Sequence, residues 1–189
     1  MSVLDLVRTV APVPLVTLDQ AKAHLNVLHD EDDQKIEDLI EACVDQLDGY
    51  SGETGLTLVE QTWELHLTRF PAGRVLALPL QPLISVESIT FKDPDGVTQT
   101  FNLDQVTVRP GLKADITLKS GASWAATACD PRAVTITFKA GYGAPADAPA
   151  AYRLAVLVML TANYHSPEGA VSMPPAAQRL ISPRRRRRI

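Results

Sequence analysis

The segment VTITFKAGYGAPADAPAAYRLAVLVMLTANYH, residues 134–165, reads as a strand, a glycine–proline corner and an apolar helix. Val134, Ile136 and Phe138 alternate with polar or charged residues, which is the period-two pattern of a half-buried strand. The two glycines of GYG then end the strand, because glycine adopts backbone angles that other residues avoid. The segment therefore predicts a strand whose chain turns sharply into a helix.

The helix of this segment carries a single charge, Arg153, between Tyr152 and Leu160. Asp147 can cap its start, and Pro149 then falls in the first turn, where proline is tolerated. A helix that is apolar on nearly all faces must be buried on nearly all faces. We therefore expect it to lie at the centre of the core or to be covered partly by another subunit.

Two helices are predicted upstream. Thr17 and Gln20 fit a capping box, and the helix that they open ends near Val27. A second helix begins within Asp30–Asp33. Its apolar positions recur every three or four residues and form one stripe: Ile36, Leu39, Ile40, Cys43, Val44, Leu47 and Tyr50. Its opposite side is acidic: Glu37, Asp38, Glu41, Asp45 and Asp48.

Short strands separated by turns occupy residues 58–143. Trp63, Leu65 and Leu67 alternate with polar residues, and residues 93–96, DPDG, form a strong hairpin turn signal. The expected strands are residues 61–67, 75–78, 86–92, 97–101, 106–108, 116–118 and 134–138. Strands this close together in sequence predict an antiparallel sheet or a small barrel.

The order of these elements predicts an α+β protein, with a small helical bundle, an inserted antiparallel β-rich unit and an extended C-terminal tail. We expect an N-terminal arm at 1–16, a helical core at 17–57 and 144–181, the inserted β-region at 58–143, and a basic tail at 182–189.

Charge is unevenly distributed along the 189 residues. The net charge is −4, and Arg184–Arg188 contribute +5, so the rest of the chain carries 13 Lys+Arg against 22 Asp+Glu, a net of −9. A general nucleic-acid-binding domain spreads its basic residues over a face. We therefore interpret the chain as an acidic body that delivers one cationic segment to a specific place.

The arginine run, Arg184–Arg188, admits three functions. Five adjacent guanidinium groups repel one another, so we expect the run to order only against negative charge. It contacts nucleic-acid phosphates, docks into an acidic pocket of a protein partner through bidentate pairing, or is a solvated tail that aids solubility. Ile189 follows the run and favours docking, since a purely electrostatic tail needs no hydrophobic residue.

Signals for catalysis or metal binding are weak. The acidic run Asp30–Asp33 lacks the glycine and the alternating ligands of a calcium loop, and we interpret it as helix capping. In the GYG corner, Ala146 stands where a dinucleotide fingerprint has its third glycine. The four histidines have no metal-ligand spacing and are expected at the surface or in an interface: His24, His29, His66 and His165. We therefore predict no enzymatic activity, no metal and no cofactor.

Compartment signals are also limited. Cys43 and Cys129 form no close pair, which argues against a disulfide scaffold and favours a reducing compartment. The apolar run within Leu154–Leu160 is far shorter than the roughly 18 residues that span a membrane. Residues 1–14 make a poor secretory signal. We expect no membrane partner.

Several motifs follow one another in a characteristic order. They are VTLDQAKAHL at 16–25, DEDD at 30–33 before Ile36, QTW at 61–63, LPLQPL at 78–83 leading to 86–89, and AGYG at 140–143 with the helix after it. In order and spacing, from about Pro14 to Ile181, the chain resembles the head–tail connector (adaptor) proteins of long-tailed bacteriophages. Such proteins also occur in prophages and gene transfer agents. The arginine run goes beyond the family pattern.

The resemblance implies a structural virion protein. Connectors of this kind form a ring, usually of twelve copies, beneath the portal protein, extend the channel for double-stranded DNA and present a surface to the stopper or tail-terminator protein. The protein would be made in the bacterial cytoplasm and reside at the head–tail junction. The alternative is a nucleic-acid-binding protein acting through the arginine run.

The resemblance also indicates which residues meet these partners. The family's C-terminal segment typically reaches the portal, which would bring one set of residues to the portal or to channel DNA: Arg179, Arg184, Arg185, Arg186, Arg187, Arg188 and Ile189. An acidic channel wall would let DNA slide without sticking. The expected lumen-facing residues are Glu37, Asp38, Glu41 and Asp45.

Overall fold

Strands and helices separate into two units of the chain. A computed structural model describes residues 3–166 and 172–184. The β unit comprises Met1–Pro12 and Glu60–Gly141, and the helical unit comprises Val13–Val59 and Tyr142–Ile189. The predicted α+β class is confirmed, because the strands pair antiparallel and the helices lie in a unit of their own.

The described residues of the β unit form two antiparallel sheets. A five-stranded sheet has the order β1 (Val3–Val10), β2 (Gln61–Leu67), β8 (Val134–Ala140), β4 (Leu83–Lys92) and β5 (Thr98–Thr100). A three-stranded sheet has the order β3 (Val75–Ala77), β7 (Asp115–Leu118) and β6 (Val106–Arg109).

The central strand β8 carries the core of the β unit, as its alternation predicts. Val134, Ile136 and Phe138 are fully buried. Ile136 lies opposite Leu65 of β2 and Ile89 of β4, so one inward-facing row crosses three strands. Cross-strand apolar contacts of this kind are the main stabilising unit of a sheet.

Residues 3–10, within the segment expected to form an N-terminal arm, form the edge strand β1. It pairs antiparallel with β2, and Leu6 lies opposite Leu65. The alternation in VLDLVRTV suits a strand, whereas the prolines that suggested an arm, Pro12 and Pro14, follow it.

His66 lies in the interior, whereas the sequence predicted it at the surface or in an interface. It is 7% exposed in β2, with Nδ1 3.0 Å from Oγ1 of Thr135 and Nε2 3.6 Å from Oε2 of Glu64. The surface prediction was wrong because both faces of β2 are covered at this position. Leu65 and Leu67 face one side and His66 faces the other, and all three are buried.

The helical unit contains α1 (Leu18–Leu25), α2 (Asp33–Leu47), α3 (Ala150–Tyr164) and α4 (Pro175–Ile181). The capping box of α1 is present, since the amide of Gln20 donates to Oγ1 of Thr17 and the amide of Thr17 donates to Oε1 of Gln20. Within the described residues, none of these helices has the length and apolar character needed to cross a membrane.

The stripe predicted for α2 is one residue too long. Ile36, Ile40, Cys43 and Leu47 are buried, but Tyr50 is 56% exposed. The helix ends at Leu47, and Gly49 then takes a positive φ of 77°. This turn directs the chain away from the helix axis before Tyr50 is reached.

The capping role predicted for Asp147 is also wrong. Its Oδ2 accepts a hydrogen bond from the amide of Ala144 at 3.0 Å and so closes the turn before α3. Pro149 occupies the N-cap position, and no described side chain makes a capping hydrogen bond there. The guanidinium of Arg153 instead donates to the carbonyls of Pro145, Ala146 and Ala148 at 2.8–3.2 Å, and thereby holds the corner against the first turns of α3.

Candidate assembly surfaces

An acidic ridge runs along the exposed side of α2. It consists of Glu37, Asp38, Glu41 and Asp45, and all four side chains are exposed. Asp38 accepts a hydrogen bond from Nε2 of Gln34 at 2.9 Å. Among the residues that the structure describes, none of the four takes part in an ion pair. The acidic ridge is therefore a surface of uncompensated negative charge.

Packing, rather than the acidic ridge, stabilises α2. Carboxylates four residues apart on a helix repel by about 0.2–0.5 kcal/mol per pair, and 37/41 and 41/45 are such pairs. The last turn of α2 has no basic residue to interact with the helix dipole. Burial of the opposite stripe, which includes Ile36 and Leu47, offsets these costs. A ridge that weakens its own helix is consistent with a role outside helix stability.

The acidic run Asp30–Asp33 lies at the start of α2, where the helix dipole favours carboxylates, and it also ties three helices together. Asp32 is the N-cap residue of α2, but its side chain makes no capping hydrogen bond. Nζ of Lys22 in α1 lies 2.7 Å from Asp30 and 2.6 Å from Asp33. Oδ2 of Asp32 accepts a hydrogen bond from the hydroxyl of Tyr164 in α3 at 2.6 Å.

These contacts change the pKa values of the groups involved. The hydrogen bond from Tyr164 is the main reason that the pKa of Asp32 lies below its ordinary value, with smaller contributions from Lys35 and His29. The same bond raises the pKa of Tyr164. Within the described part of the chain, no group of three or more His, Cys, Asp or Glu side chains could hold a metal ion.

Helix α4, which leads to the arginine run, is anchored beside α3. Ala177 and Ile181 of α4 are buried in the same core as Met159 and Leu160 of α3. The side chain of Asn163, also buried, fixes the chain that enters α4. We call this contact the Asn163 clasp.

The Asn163 clasp consists of three hydrogen bonds. Nδ2 of Asn163 donates to the carbonyls of Met159 at 2.7 Å and Ser172 at 3.1 Å, and its Oδ1 accepts from the amide of Ser172 at 2.8 Å. The position of α4 is therefore set by both apolar and polar contacts. Sequence reasoning missed this role, since an Asn near a helix end also reads as a surface residue.

The residues expected to meet the portal or DNA are only partly described. Arg179 lies exposed on α4. Helix α4 ends at Ile181, and the chain continues as a 3-10 turn at Ser182–Arg184. The side chain of Arg184 and residues Arg185, Arg186, Arg187, Arg188 and Ile189 lie outside the described residues.

The GYG corner has the backbone geometry that its glycines predict. Gly141 and Gly143 take positive φ values of 132° and 110°. A Cβ atom on Gly143 would lie 2.9 Å from Oδ2 of Asp147, the carboxylate that closes the turn. The corner is accounted for by chain geometry.

The acidic surplus belongs to the helical unit alone. The β unit carries nine Lys+Arg and nine Asp+Glu, so its net charge is zero. The helical unit carries thirteen Asp+Glu and nine Lys+Arg, and five of those nine are the arginine run. This partition becomes visible only when residues 1–12 and 60–141 are grouped by structure.

The helical unit thus combines an exposed acidic ridge with an anchored C-terminal helix. The sequence profile of the phage gp6-like head-tail connector proteins matches residues 15–108. The chain belongs to this head–tail connector family, as the order of its motifs predicted. A comparison with the curated proteins found no match.

Solved structures share the fold over nearly the whole chain. A chain in the neck of an empty gene transfer agent particle, solved with C6 symmetry, has a TM-score of 0.81 at 21% identity and covers 98% of this chain and 97% of its own. A chain in the virion of a native particle has a TM-score of 0.79 at 22% identity, covering 97% and 96%. A third, in a native neck with C12 symmetry, has a TM-score of 0.73 at 21% identity, covering 98% and 97%.

Proposed function

We propose that the chain is a non-enzymatic structural protein that forms a ring of twelve copies beneath the portal of a phage-like particle. The observation that carries the proposal is the match of residues 15–108 to the head–tail connector family. A chain of the same fold in a neck with C12 symmetry supports a ring. The ring extends the DNA channel and joins the head to the stopper or tail-terminator protein.

The acidic ridge of α2 lines the channel in this proposal. Its carboxylates are exposed and without basic partners among the described residues, so they present a continuous negative potential. Like charge keeps double-stranded DNA from adsorbing tightly to the wall. The ridge thereby lets the genome pass instead of holding it.

Neutralising the ridge tests this role. The quadruple variant Glu37→Gln, Asp38→Asn, Glu41→Gln and Asp45→Asn is expected to slow DNA ejection from purified particles, because the wall no longer repels phosphate. The matched control neutralises exposed acidic residues of the β unit, Glu87→Gln, Asp95→Asn and Asp104→Asn, and should eject DNA at the wild-type rate. Unchanged ejection and retention in the quadruple variant would contradict a lumen-facing ridge.

The basic tail docks on the portal. Arg179 lies on α4 and the arginine run follows this helix, which the Asn163 clasp and the buried Ile181 hold in place, so the run starts from a fixed point. Arginine pairs with carboxylates in a bidentate manner that lysine cannot reproduce. The tail therefore has both the position and the chemistry to bind an acidic pocket on a partner.

Truncation after Ser182 tests the docking. Particles carrying the truncated chain are expected to lack tails and to lose their DNA, as measured by electron microscopy and nuclease-protected DNA. Replacing Arg184–Arg188 with lysines keeps the charge and removes bidentate pairing. A lysine variant with normal particles would therefore show that positive charge alone is sufficient for docking. Truncated particles that keep tails and DNA would show that the tail does not dock.

A further inference from the structure

Leu28, in the connection between α1 and α2, is 95% exposed, the highest value among the large hydrophobic residues described. Val27 before it and Asp30 after it both contact Lys22. Val27 is buried, and its amide donates to the carbonyl of Lys22 at 3.0 Å. Lys22 in turn pairs with Asp30 at 2.7 Å. Burying the exposed side chain of Leu28 against a partner would be favourable, which makes Leu28 a candidate contact residue.

The outward face of α3 is a second, partly exposed apolar surface. At 100° per residue, it lies opposite the buried stripe of the helix. We define it as the α3 seat: Ala150, Leu154, Leu157, Val158 and Thr161. Leu154 is 45% exposed, and Leu157 and Val158 are half-buried. The hydroxyl of Thr161 donates to the carbonyl of Leu157 at 3.1 Å, so the polar side chain of the α3 seat is already hydrogen-bonded within its own helix.

The α3 seat also carries no charge. Surface helices normally bear charged residues on the side away from the core. The one charged residue of α3, Arg153, is engaged with carbonyls of its own corner. The helical unit has thirteen acidic residues against nine basic ones, so two copies carry the same sign of net charge and repel. An uncharged surface is where such copies can approach each other without electrostatic cost.

We infer that Leu28 of one copy packs on the α3 seat of the next copy in the ring. The inference rests on the proposed ring. A ring of more than two copies requires two different surfaces on each copy, because its contacts are heterologous. Leu28 and the α3 seat are two such surfaces on the same unit, one protruding and one broad, and both apolar. Joining them removes both from water in every interface of a closed ring.

Charged substitutions test the contact in assembled particles. Leu28→Asp and Leu154→Asp change exposed side chains, so both proteins should fold, as circular dichroism and the unfolding midpoint will show. Each is expected to reduce the amount of the chain in purified particles by about tenfold or more, because burying a leucine contributes at least that factor to an association constant. The control, Val97→Asp, changes an exposed residue of the β unit (54% exposed) and should be incorporated normally.

A disulfide test identifies the pairing. In a Cys129→Ser background, with Cys43 buried, Leu28→Cys and Leu154→Cys are introduced together. Oxidation of particles should produce a ladder of covalent oligomers up to the ring, whereas each single cysteine should produce no ladder. A ladder from the double variant alone supports the contact.

Two results would overturn it. Normal incorporation of Leu28→Asp, or absence of a ladder while the wild-type chain is present in particles, would contradict this interface and leave the proposed ring standing. Absence of the wild-type chain from the head–tail junction would overturn the ring, and the interface with it.

Discussion

The two cysteines lie in opposite environments. Cys43 is buried in α2, and burial raises the pKa of its thiol to about 11, although a hydrogen bond from Asn163 acts the other way. Cys129 is exposed. Because the thiolate is the reactive form, we predict that at pH 8 a thiol reagent such as Ellman's modifies one cysteine per native chain rapidly and the second only in denaturant. Rapid modification of both would mean that the helical unit opens readily.

The Tyr164–Asp32 hydrogen bond predicts a pH-dependent stability. A carboxyl whose folded pKa is lowered stabilises the protein above its unfolded pKa, about 4, and this contribution is lost as the pH falls through the folded pKa. Tyr164→Phe should therefore be less stable than wild type from pH 5 to 8, with the difference shrinking as the pH drops below about 4. Urea unfolding across this range measures it.

A control for this effect is available in Tyr142→Phe, which removes a hydroxyl elsewhere in the helical unit and should show no such pH dependence.

The raised pKa of Tyr164 acts in the opposite sense. Its contribution is present below about pH 10 and is lost as the pH rises through the folded value. A Tyr164→Phe difference that persisted unchanged at pH 3 would contradict the assignment of the effect to Asp32.

Gly52 is required because a side chain there has no room. A Cβ atom would meet the carbonyl oxygens of Asp48 and Leu47 well inside 3.0 Å, and both are backbone atoms that cannot move aside easily. Gly52→Ala should destabilise the protein by about 3 kcal/mol or more. Gly73→Ala is the matched control, since nothing lies within 4 Å of its Cβ position. Equal unfolding free energies for the two variants would refute the steric explanation.

At the scale of elements, polar contacts determine where the helices of the helical unit meet. Lys22 joins α1 to the start of α2 through Asp30 and Asp33, and Tyr164 joins the end of α3 to Asp32. The apolar stripes supply the area that drives packing, whereas these directional bonds select one alignment of the helices.

The Asn163 clasp makes a prediction about α4. Asn163→Ala leaves the carbonyl and amide of Ser172 without their side-chain partner in a partly buried site, and should cost about 1–3 kcal/mol of unfolding free energy. It should also speed tryptic cleavage after Arg179, because α4 is held less firmly. Gln99→Ala, which removes an exposed amide bonded to Asp93, should have a small effect on both measurements. An Asn163→Ala protein with wild-type cleavage would show that apolar contacts alone hold α4.

At the scale of the whole molecule, the neutral β unit and the acidic helical unit predict how copies respond to salt. Without residues 183–189 the chain has 13 Lys+Arg and 22 Asp+Glu, a net charge of −9. Raising the ionic strength from about 0.1 to about 1 M shortens the Debye length from about 10 to about 3 Å. Self-association of the truncated chain, measured by sedimentation velocity, should therefore increase with salt.

The full chain, at −4, serves as the control and should respond more weakly. A truncated chain whose association falls with salt would mean that attractive charge contacts, rather than apolar ones, join the copies.

Much of the fold could be predicted because its signals are local. The alternation in β8 and the stripe of α2 depend on neighbours within one element, and so does the capping box at Thr17. The apolar composition of α3 likewise predicted a helix with unusual coverage. The order of short motifs was enough to indicate the connector family, because that order reflects the succession of elements.

Three of the errors concern side chains with two or more possible partners. Asp147 and Asp32 stand where capping carboxylates stand, yet one closes a turn and the other accepts a hydrogen bond from Tyr164, 132 residues away. His66 was predicted at the surface because its hydrogen-bond partner, Thr135, is distant in sequence and is adjacent only in the folded sheet. Such choices depend on contacts distant in sequence, which no local pattern contains.

The sequence by itself determined most of the elements, strand β1 excepted, and the α+β class, since periodicity follows from local backbone geometry. The order of its motifs indicated the family. Only the tertiary structure decided which charges remain uncompensated and which apolar surfaces remain uncovered. The acidic ridge, the Asn163 clasp, Leu28 and the α3 seat are defined by what the folded chain leaves exposed or joins together. That outcome depends on how distant segments pack, because burial and pairing are properties of the assembled core.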